Sequence, residues 1–288
     1  MILEDEFCDI VKKARMGQGL TVADVARTTG LPAGDVTVLE RGGRLPTKAE
    51  IQAIAAALRL RAEPLTQIAL DGWEPVPTPS SVSCVDTVVG DIGGYAVKGY
   101  VLHDGAEAIF IDTAYNADAM LEVLERRHLR LTAVCLTHGH ADHAGGLDVM
   151  LQHRRVPVYL GEADKALLGW RPPQEVLTQP DDGRVIQVGG LSVRCMATPG
   201  HTPGGICYRV EQGSQEICFV GDTLFAGSIG RANPFSLYPA HLDSVRRRVL
   251  TLPARTVLFP GHGPATTVSE ELSHNPFAAE SSGSMRGG

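Results

Sequence analysis

The run Leu136-Thr137-His138-Gly139-His140-Ala141-Asp142-His143 places three imidazoles and one carboxylate within six positions. Imidazole nitrogen and carboxylate oxygen together suit zinc, and also iron or manganese. The run follows Ala133–Leu136, a short apolar stretch that reads as a strand. A loop leaving a strand end can turn neighbouring side chains inward together, whereas a strand or helix sends them to different faces. Gly139 and the Gly145-Gly146 pair supply the tight backbone such a loop needs. Three more candidates are delivered the same way, one His or Asp flanked by Gly or Pro after an apolar strand. They are His201 in Thr198–Gly204, Asp222 in Gly221-Asp222-Thr223, and His262 in Pro260–Pro264. His138, His140, Asp142, His143, His201, Asp222 and His262 are therefore the expected metal ligands. His103, His128, His153, His241 and His274 stand alone and read as ordinary surface or core histidines.

The elements that must position these residues begin after a break. With 288 residues the chain fits a medium α/β domain plus a smaller partner. The composition shifts at Glu74-Pro75-Val76-Pro77-Thr78-Pro79-Ser80-Ser81, where closely spaced prolines favour extended backbone. The expected division is a helical domain at 1–72, a proline-rich linker at 73–82, a metal domain at 83–277 and a disordered tail at 278–288. In the first part Val22, Val25 and Ala26, then Val36 and Leu39, then Ile51, Ile54, Ala55 and Leu58 recur at helical spacing. Thr21, three residues before Asp24, is a candidate N-cap. Four or five helices and no strand are expected there.

After the linker, strands are expected at Val85–Val89, Val97–Leu102, Ala108–Ile111 and Ala133–Leu136, with helices at about 116–128 and 143–153. A second series follows: Arg184–Val188, Leu191–Ala197, Ile206–Val210 and Ile217–Val220, a helix near 241–252, and a strand at Thr256–Phe259. Strands grouped early and late, with helices between, predict an α+β domain of two sheets covered by helices.

Apolar residues make up 43% and charged residues 20%, which excludes global disorder. The net charge of −7 argues against a surface built throughout for nucleic acid. There is no run of apolar residues long enough for a transmembrane helix, and the acidic start Glu4-Asp5-Glu6 is unlike a signal peptide. A cytoplasmic protein without membrane contact is the expectation. The six cysteines lack Cys-x-x-Cys spacing and read as reduced, mostly buried thiols.

The motif His138-x-His140-x-Asp142-His143, followed by His201, Asp222 and His262, resembles the metallo-β-lactamase superfamily over roughly residues 83–277. The resemblance implies an αββα sandwich with two divalent metals at one sheet edge, zinc first and iron or manganese as alternatives. It implies one site at His138, His140 and His201, a second at Asp142, His143 and His262, and Asp222 bridging them. Within the superfamily, Gly221–Arg231 and Pro260–Thr267, with Glu270 and Asn275-Pro276-Phe277, look like the glyoxalase II type. Class B β-lactamases commonly carry cysteine where this chain has Asp222, and are exported, which disfavours a β-lactam substrate. Glyoxalase II proper has a further helical domain after the metal domain. Here the chain ends soon after Phe277, so hydroxyacylglutathione is one candidate among thioesters.

The chemistry implied is attack on a carbonyl by a hydroxide shared between two cations, since metal binding lowers the pKa of water from ~15.7 toward ~7. Asp142 and Asp222 are the expected catalytic carboxylates, Asp142 as ligand and orienter, Asp222 as bridge. A thiolate leaves with little help from an acid, so a small-molecule thioester is favoured over a lactone or other ester. Asp112, ending the strand Ile109-Phe110-Ile111, is either an acceptor for a ligand imidazole or a turn residue. Two alternatives share the fold. A mononuclear iron dioxygenase acting on persulfides needs only His138, His201 and Asp222, but usually shows Gly-Arg-Thr-Asp-Phe where this chain has Gly230-Arg231-Ala232-Asn233-Pro234-Phe235. A transcription regulator with a ligand-sensing metal domain is the other.

Residues 7–70 resemble the helix-turn-helix domain of the Cro and phage-repressor type, through Gly19–Ala26, Thr29-Gly30-Leu31, Val36–Gly42 and Ile51–Leu60. That family puts its second motif helix in the major groove. Here the positions facing DNA would be Val22, Pro32, Ala33, Gly34, Asp35 and Thr37, none of which offers a base-reading fork. Residues 1–72 carry 9 basic and 10 acidic side chains, and only Arg41, Arg44 and Lys48 could touch a backbone. No residue is therefore assigned to DNA. A docking or homodimerisation module, or one wall of the active-site mouth, is expected instead.

Overall fold

The computed structural model describes residues 3–76, 82–212 and 215–279; residues 77–81 of the expected linker and 280–288 of the expected tail lie outside them. Helical periodicity in the first part becomes five helices: α1 (Phe7–Gly17), α2 (Val22–Thr29), α3 (Ala33–Glu40), α4 (Lys48–Leu58) and α5 (Ala62–Thr66), the last running on through a wider turn at Gln67–Asp71. Thr21 caps α2 as expected. The Asp24 N–H donates to Thr21 Oγ1 (3.1 Å) and the Thr21 N–H to the Asp24 carboxylate (2.9 Å), a reciprocal pair that Thr47 and Glu50 repeat on α4. Each such cap contributes about 1 kcal/mol.

The second part is a sandwich of two six-stranded sheets. One is ordered β1 (Val85–Ile92), β2 (Tyr95–Asp104), β3 (Glu107–Ile111), β4 (Arg130–Cys135), β5 (Val158–Tyr159) and β6 (Leu177–Thr178). The other contains β7 (Val185–Val188), β8 (Leu191–Ala197), β9 (Ile206–Gln212), β10 (Gln215–Gly221), β11 (Val257–Pro260) and β12 (Thr266–Thr267), with β12 and β7 at its edges. The two-residue strands β5, β6 and β12 are too short to show a period, and the sequence reading passes over them. The helix expected over 143–153 is split at Gly145-Gly146 into α7 (Ala141–Ala144) and α8 (Leu147–His153). That expected over 241–252 starts earlier, as α9 (Tyr238–Asp243), and continues to Val249. The helices α6 (Ala117–Arg127) and α10 (Val268–His274) complete the domain.

Alternation along the strands sorts side chains between layers. Ile109 and Ile111 of β3, and Ile217 and Phe219 of β10, point into the space between the sheets with Tyr208 and Phe259. Ala108 and Phe110 face the other way, onto Met120 and Leu124 of α6 and Met150 of α8. On the far side of the second sheet, Cys218 and Val220 join Val245 and Val249, and this layer also holds Ile10, Val36, Ile54 and Leu65 of the helical part. The helices of the first part thus share one apolar core with the outer layer of the second. Each large apolar side chain buried there contributes about 1.5–3 kcal/mol. All six cysteines are free, and all but Cys8 are buried. Among the described residues no helix is long and apolar enough to cross a membrane.

The described residues continue past Phe277, and Ala278, expected to open the tail, is buried. This end is anchored by Glu271, fully buried, which accepts from Thr266 Oγ1 (2.7 Å), Asn275 Nδ2 (2.7 Å) and the Gly227 N–H (3.0 Å). Burial pushes its carboxyl up to about 7 despite these donors. A folded carboxyl that keeps its proton to higher pH than the unfolded one makes stability fall as pH rises from about 4.5 to about 7. The span corresponds to about 3 kcal/mol. Glu271→Gln keeps the shape and can reverse the Thr266 bond, so denaturant titrations across this window should show a flatter stability profile than wild type; an unchanged slope would exclude Glu271 as its source.

Candidate metal centre

Five strand ends meet at one edge of the sandwich. Asp112 follows β3, Leu136-Thr137-His138 follows β4, Thr198 follows β8, Asp222 follows β10 and Gly261-His262 follows β11. Two buried tyrosines tie the strand ends together across the sheets. Tyr208 donates to the Leu136 carbonyl (2.9 Å) and Tyr100 to the Pro260 carbonyl (2.6 Å). Gly221 has a left-handed φ of 48° and no room for a Cβ beside the Thr137 hydroxyl. At Gly261 a Cβ would likewise collide, with the His143 ring and the Asp222 carboxylate.

All seven expected ligands come together. His138, His140 and His201 form one group, Asp142, His143 and His262 a second, and His138, His143 and Asp222 a third, with donor atoms in each lying within 4.8 Å of one another. His201 Nε2 lies 3.0 Å from His140 Nδ1, and His143 Nε2 lies 3.4 Å from His262 Nε2. Asp222 faces both pairs, with Oδ1 3.2 Å from His143 Nε2 and Oδ2 3.4 Å from His201 Nε2.

The outer nitrogens explain which atom points inward. His201 Nδ1 lies 2.8 Å from the Arg231 carbonyl and His262 Nδ1 lies 2.7 Å from the Ala96 carbonyl. A carbonyl only accepts, so each Nδ1 carries a hydrogen and each Nε2 is the nitrogen turned to the cluster. Asp112 does the same for His143 Nδ1 (2.8 Å) and also accepts from the Thr137 N–H (2.7 Å) and hydroxyl (2.8 Å). It is both of the things that the sequence left open, a left-handed turn residue (φ 56°) and an imidazole acceptor.

The charge balance fits a cation. Burial holds His138 well below the ordinary imidazole range and His201 down to about 3. Burial also opposes charge on His143 and His262, yet the carboxylates of Asp222 and Asp112 raise the first, and those of Asp142 and Asp222 push the second up to about 9. Asp222 is buried too, and the neighbouring His143 and His201 hold it well below the carboxylate range. His138 Nε2 and Asp222 Oδ1 are buried without a hydrogen bond. A buried imidazole nitrogen and a carboxylate oxygen without hydrogen bonds, amid inward-facing nitrogens and carboxylates, are what a pair of divalent cations would satisfy, so the residues present fit such ions.

The sequence reading missed Asp164. It is fully buried after β5 and accepts from the Gly139 N–H (3.2 Å), the Thr202 hydroxyl (2.6 Å) and the Gly204 N–H (2.7 Å). It thereby ties the His138–His140 loop to the His201 loop. A lone acid after a two-residue strand gives no periodic signal. His241 lies outside the cluster and donates from Nε2 to the Thr223 carbonyl (2.8 Å), bracing the residue after Asp222. His274 stacks on Trp73.

Comparison with known proteins agrees with this geometry. Residues 92–262 match the model of the metallo-beta-lactamase superfamily, and residues 11–65 match a helix-turn-helix model. An uncharacterized protein of Mycobacterium tuberculosis, Rv2581c, is 34% identical over 210 residues, covering 64% of this chain and 94% of the relative. The hydroxyacylglutathione hydrolase GloC of Haemophilus influenzae is 32% identical over 189 residues, 60% of this chain and 88% of GloC. Among solved structures, the B3 metallo-beta-lactamase BLEG-1 superposes with a TM-score of 0.59 at 29% identity, over 67% of this chain and 98% of that one. TTHA1623 in a di-iron-bound form gives 0.58 at 28% identity, over 67% and 99%. ETHE1 from Myxococcus xanthus gives 0.56 at 28% identity, over 66% and 83%.

Asp164→Ala leaves two backbone N–H groups and a buried hydroxyl without their acceptor. It should cost about 3 kcal/mol or more, at 1–3 kcal/mol for each unsatisfied buried group. Equilibrium urea unfolding measures it, and a loss below about 1 kcal/mol would show that the two loops hold their places without Asp164.

Proposed function

Because the chain belongs to the metallo-beta-lactamase superfamily, and so to its metal-dependent hydrolases, we propose that it is a binuclear enzyme of the glyoxalase II type that cleaves small thioesters. The observation that carries this reading is the pair of inward-facing imidazole contacts, His140–His201 at 3.0 Å and His143–His262 at 3.4 Å, with Asp222 facing both. His138, His140 and His201 would hold one ion, Asp142, His143 and His262 the other, and Asp222 both. Divalent ions bound there supply Lewis acidity toward a carbonyl oxygen and a nucleophilic water at neutral pH. Zinc is favoured by the donor set, while the di-iron form of TTHA1623 supports iron as the alternative.

The protein's own contribution is orientation. Asp112 and the carbonyls of Arg231 and Ala96 keep the hydrogens of His143, His201 and His262 outward. Asp142, 3.3 Å from His262 Nε2 and only partly buried, is the carboxylate placed to orient a nucleophile from the open side. A thiolate departs without a positioned acid, and GloC, whose name is that of a thioester hydrolase, supports that substrate class. Lactones and other esters stand behind it.

Elemental analysis of gently purified protein should give about two metal equivalents per chain, and His140→Ala should lose metal and activity together. Asp222→Ala should abolish turnover on a thioester panel while far-ultraviolet circular dichroism stays native. Activity kept within ~10-fold, a barrier change of ~1.4 kcal/mol, would contradict a bridging role. One iron per chain, with the second group empty in excess zinc, would return the mononuclear dioxygenase reading.

We propose further that the helix-turn-helix domain serves the enzyme and does not read bases. On α3 the exposed positions are Ala33, Gly34 and Val38, with Pro32 exposed just ahead of it. Arg44 is paired with Glu50, a contact that competes with phosphate. A specific reader of this type holds its site at ~10⁻⁸–10⁻¹¹ M. A genomic-fragment selection followed by mobility shift at physiological salt should find no such complex; nanomolar, sequence-selective binding would promote the regulator reading.

A further inference from the structure

The segment from Asp222 to Arg231 is a closed loop whose Gly230 N–H donates to the Asp222 carbonyl (3.1 Å). Three of the ligands proposed above depend on it. It carries Asp222, its Arg231 carbonyl takes the His201 Nδ1 hydrogen, and the Phe225 ring packs edge-on against His262 with centroids 5.8 Å apart. Its tip is a tight turn in which Phe225 and Ser228 exchange N–H···O bonds of 3.1 and 3.0 Å. A tip of this kind would ordinarily face solvent, yet Phe225, Ala226, Ser228 and Ile229 are all buried.

What covers the tip is the helical domain. Ile68 and Trp73 close on Gly227, leaving no room for a side chain there. Asp5, ahead of α1, accepts from the Ser228 hydroxyl and pairs with Lys13 of α1. The Lys13 ammonium donates to the Ile229 carbonyl (3.0 Å) and lies over the Phe225 ring, 5.1 Å from its centroid. The ion pair is largely buried, with side-chain exposures of 17% and 7%. From the other side Asn275 donates to the Ser228 carbonyl (2.9 Å) and Glu271 accepts from the Gly227 N–H. Polar groups from both parts of the chain therefore grip one turn, and α1 supplies its only buried cation among the described contacts of that turn.

We infer that Asp5 and Lys13 are positioning residues for the metal centre, acting through the Phe225–Ile229 turn on Asp222, His201 and His262. The helical domain on this view is a structural part of the hydrolase site. The inference rests on the ligand assignment proposed above. Neither residue hydrogen-bonds or pairs with a ligand in the contacts described, and the contact route from them to the ligands runs through the loop. Removing the ammonium frees the Ile229 carbonyl and leaves Asp5 with Ser228 only, which loosens the turn without altering any ligand.

The test uses the full chain, loaded with zinc, and reads metal affinity by chelator competition beside thioester kinetics and urea stability. Lys13→Met keeps apolar contact with Phe225 and removes the charge. It should weaken zinc binding about 10–100-fold, the range seen when groups behind metal ligands are removed. It should also lower kcat with KM little changed. Lys13→Arg, which restores a cation, should recover most of the affinity. Asp5→Asn, a gentler change that still accepts from Ser228, should shift affinity the same way if Lys13→Met fails to fold. Loss of stability with zinc affinity and kcat both within twofold of wild type would overturn the positioning role while leaving the ligand assignment intact. Wild-type protein that binds no zinc or iron would overturn the ligand assignment, and the inference with it.

Discussion

Four imidazole nitrogens meeting in pairs at 3.0 and 3.4 Å, with two carboxylates in the same space, are stable only if charge is balanced among them. Nothing in the local sequence holds such an arrangement together. It is imposed by groups behind it: Asp112 and Asp164, each with three donors, and backbone carbonyls at Ala96 and Arg231. The sandwich can be understood as the frame that brings those outer groups to one edge. Strand direction matters most here. β3 and β4 are parallel, β8 and β10 run the same way on either side of β9, and β10 and β11 are parallel, so the loops that build the cluster leave on the same side.

The loops that form the cluster are legible in the sequence because each one couples an apolar strand to a glycine- or proline-flanked His or Asp, and both signals are local. Asp112 was half legible. Its position at a strand end was visible, but whether it turned the chain or held an imidazole depends on His143, 31 residues away. Asp164 was not visible at all, since its partners Gly139 and Gly204 come from two other loops and β5 is two residues long. Long helices were found with small errors at their ends. The break at Gly145-Gly146 is hidden in the sequence because both glycines also fit the loop that carries His138–His143.

The relation between the two parts of the chain was the least legible feature. The proline-rich stretch reads as a spacer, and the helical domain has its own apolar periodicity, as an independent module would. Yet Ile10, Val36 and Leu65 share a core with Cys218 and Val249. Asp5 and Lys13 are unremarkable charges in a sequence and acquire meaning only when Ser228 and Ile229, more than two hundred residues on, are placed beside them. A domain family is a guide to the shape of each part, and says little about the contact between them.

The topology of the cluster also has a kinetic meaning. His143 and His262 are 119 residues apart, and His140 and His201 are 61 apart. Contacts across such distances carry a larger loop-closure cost than the local hairpins of β1–β2 and β7–β8. On the proposed ligand set, a cation meeting the nascent chain finds only the His138–His143 stretch ready, and finds the remaining donors only when both sheets have closed. On that ligand set, a full complement of ions would need both sheets closed, and its binding would report that distant parts of the chain have found each other.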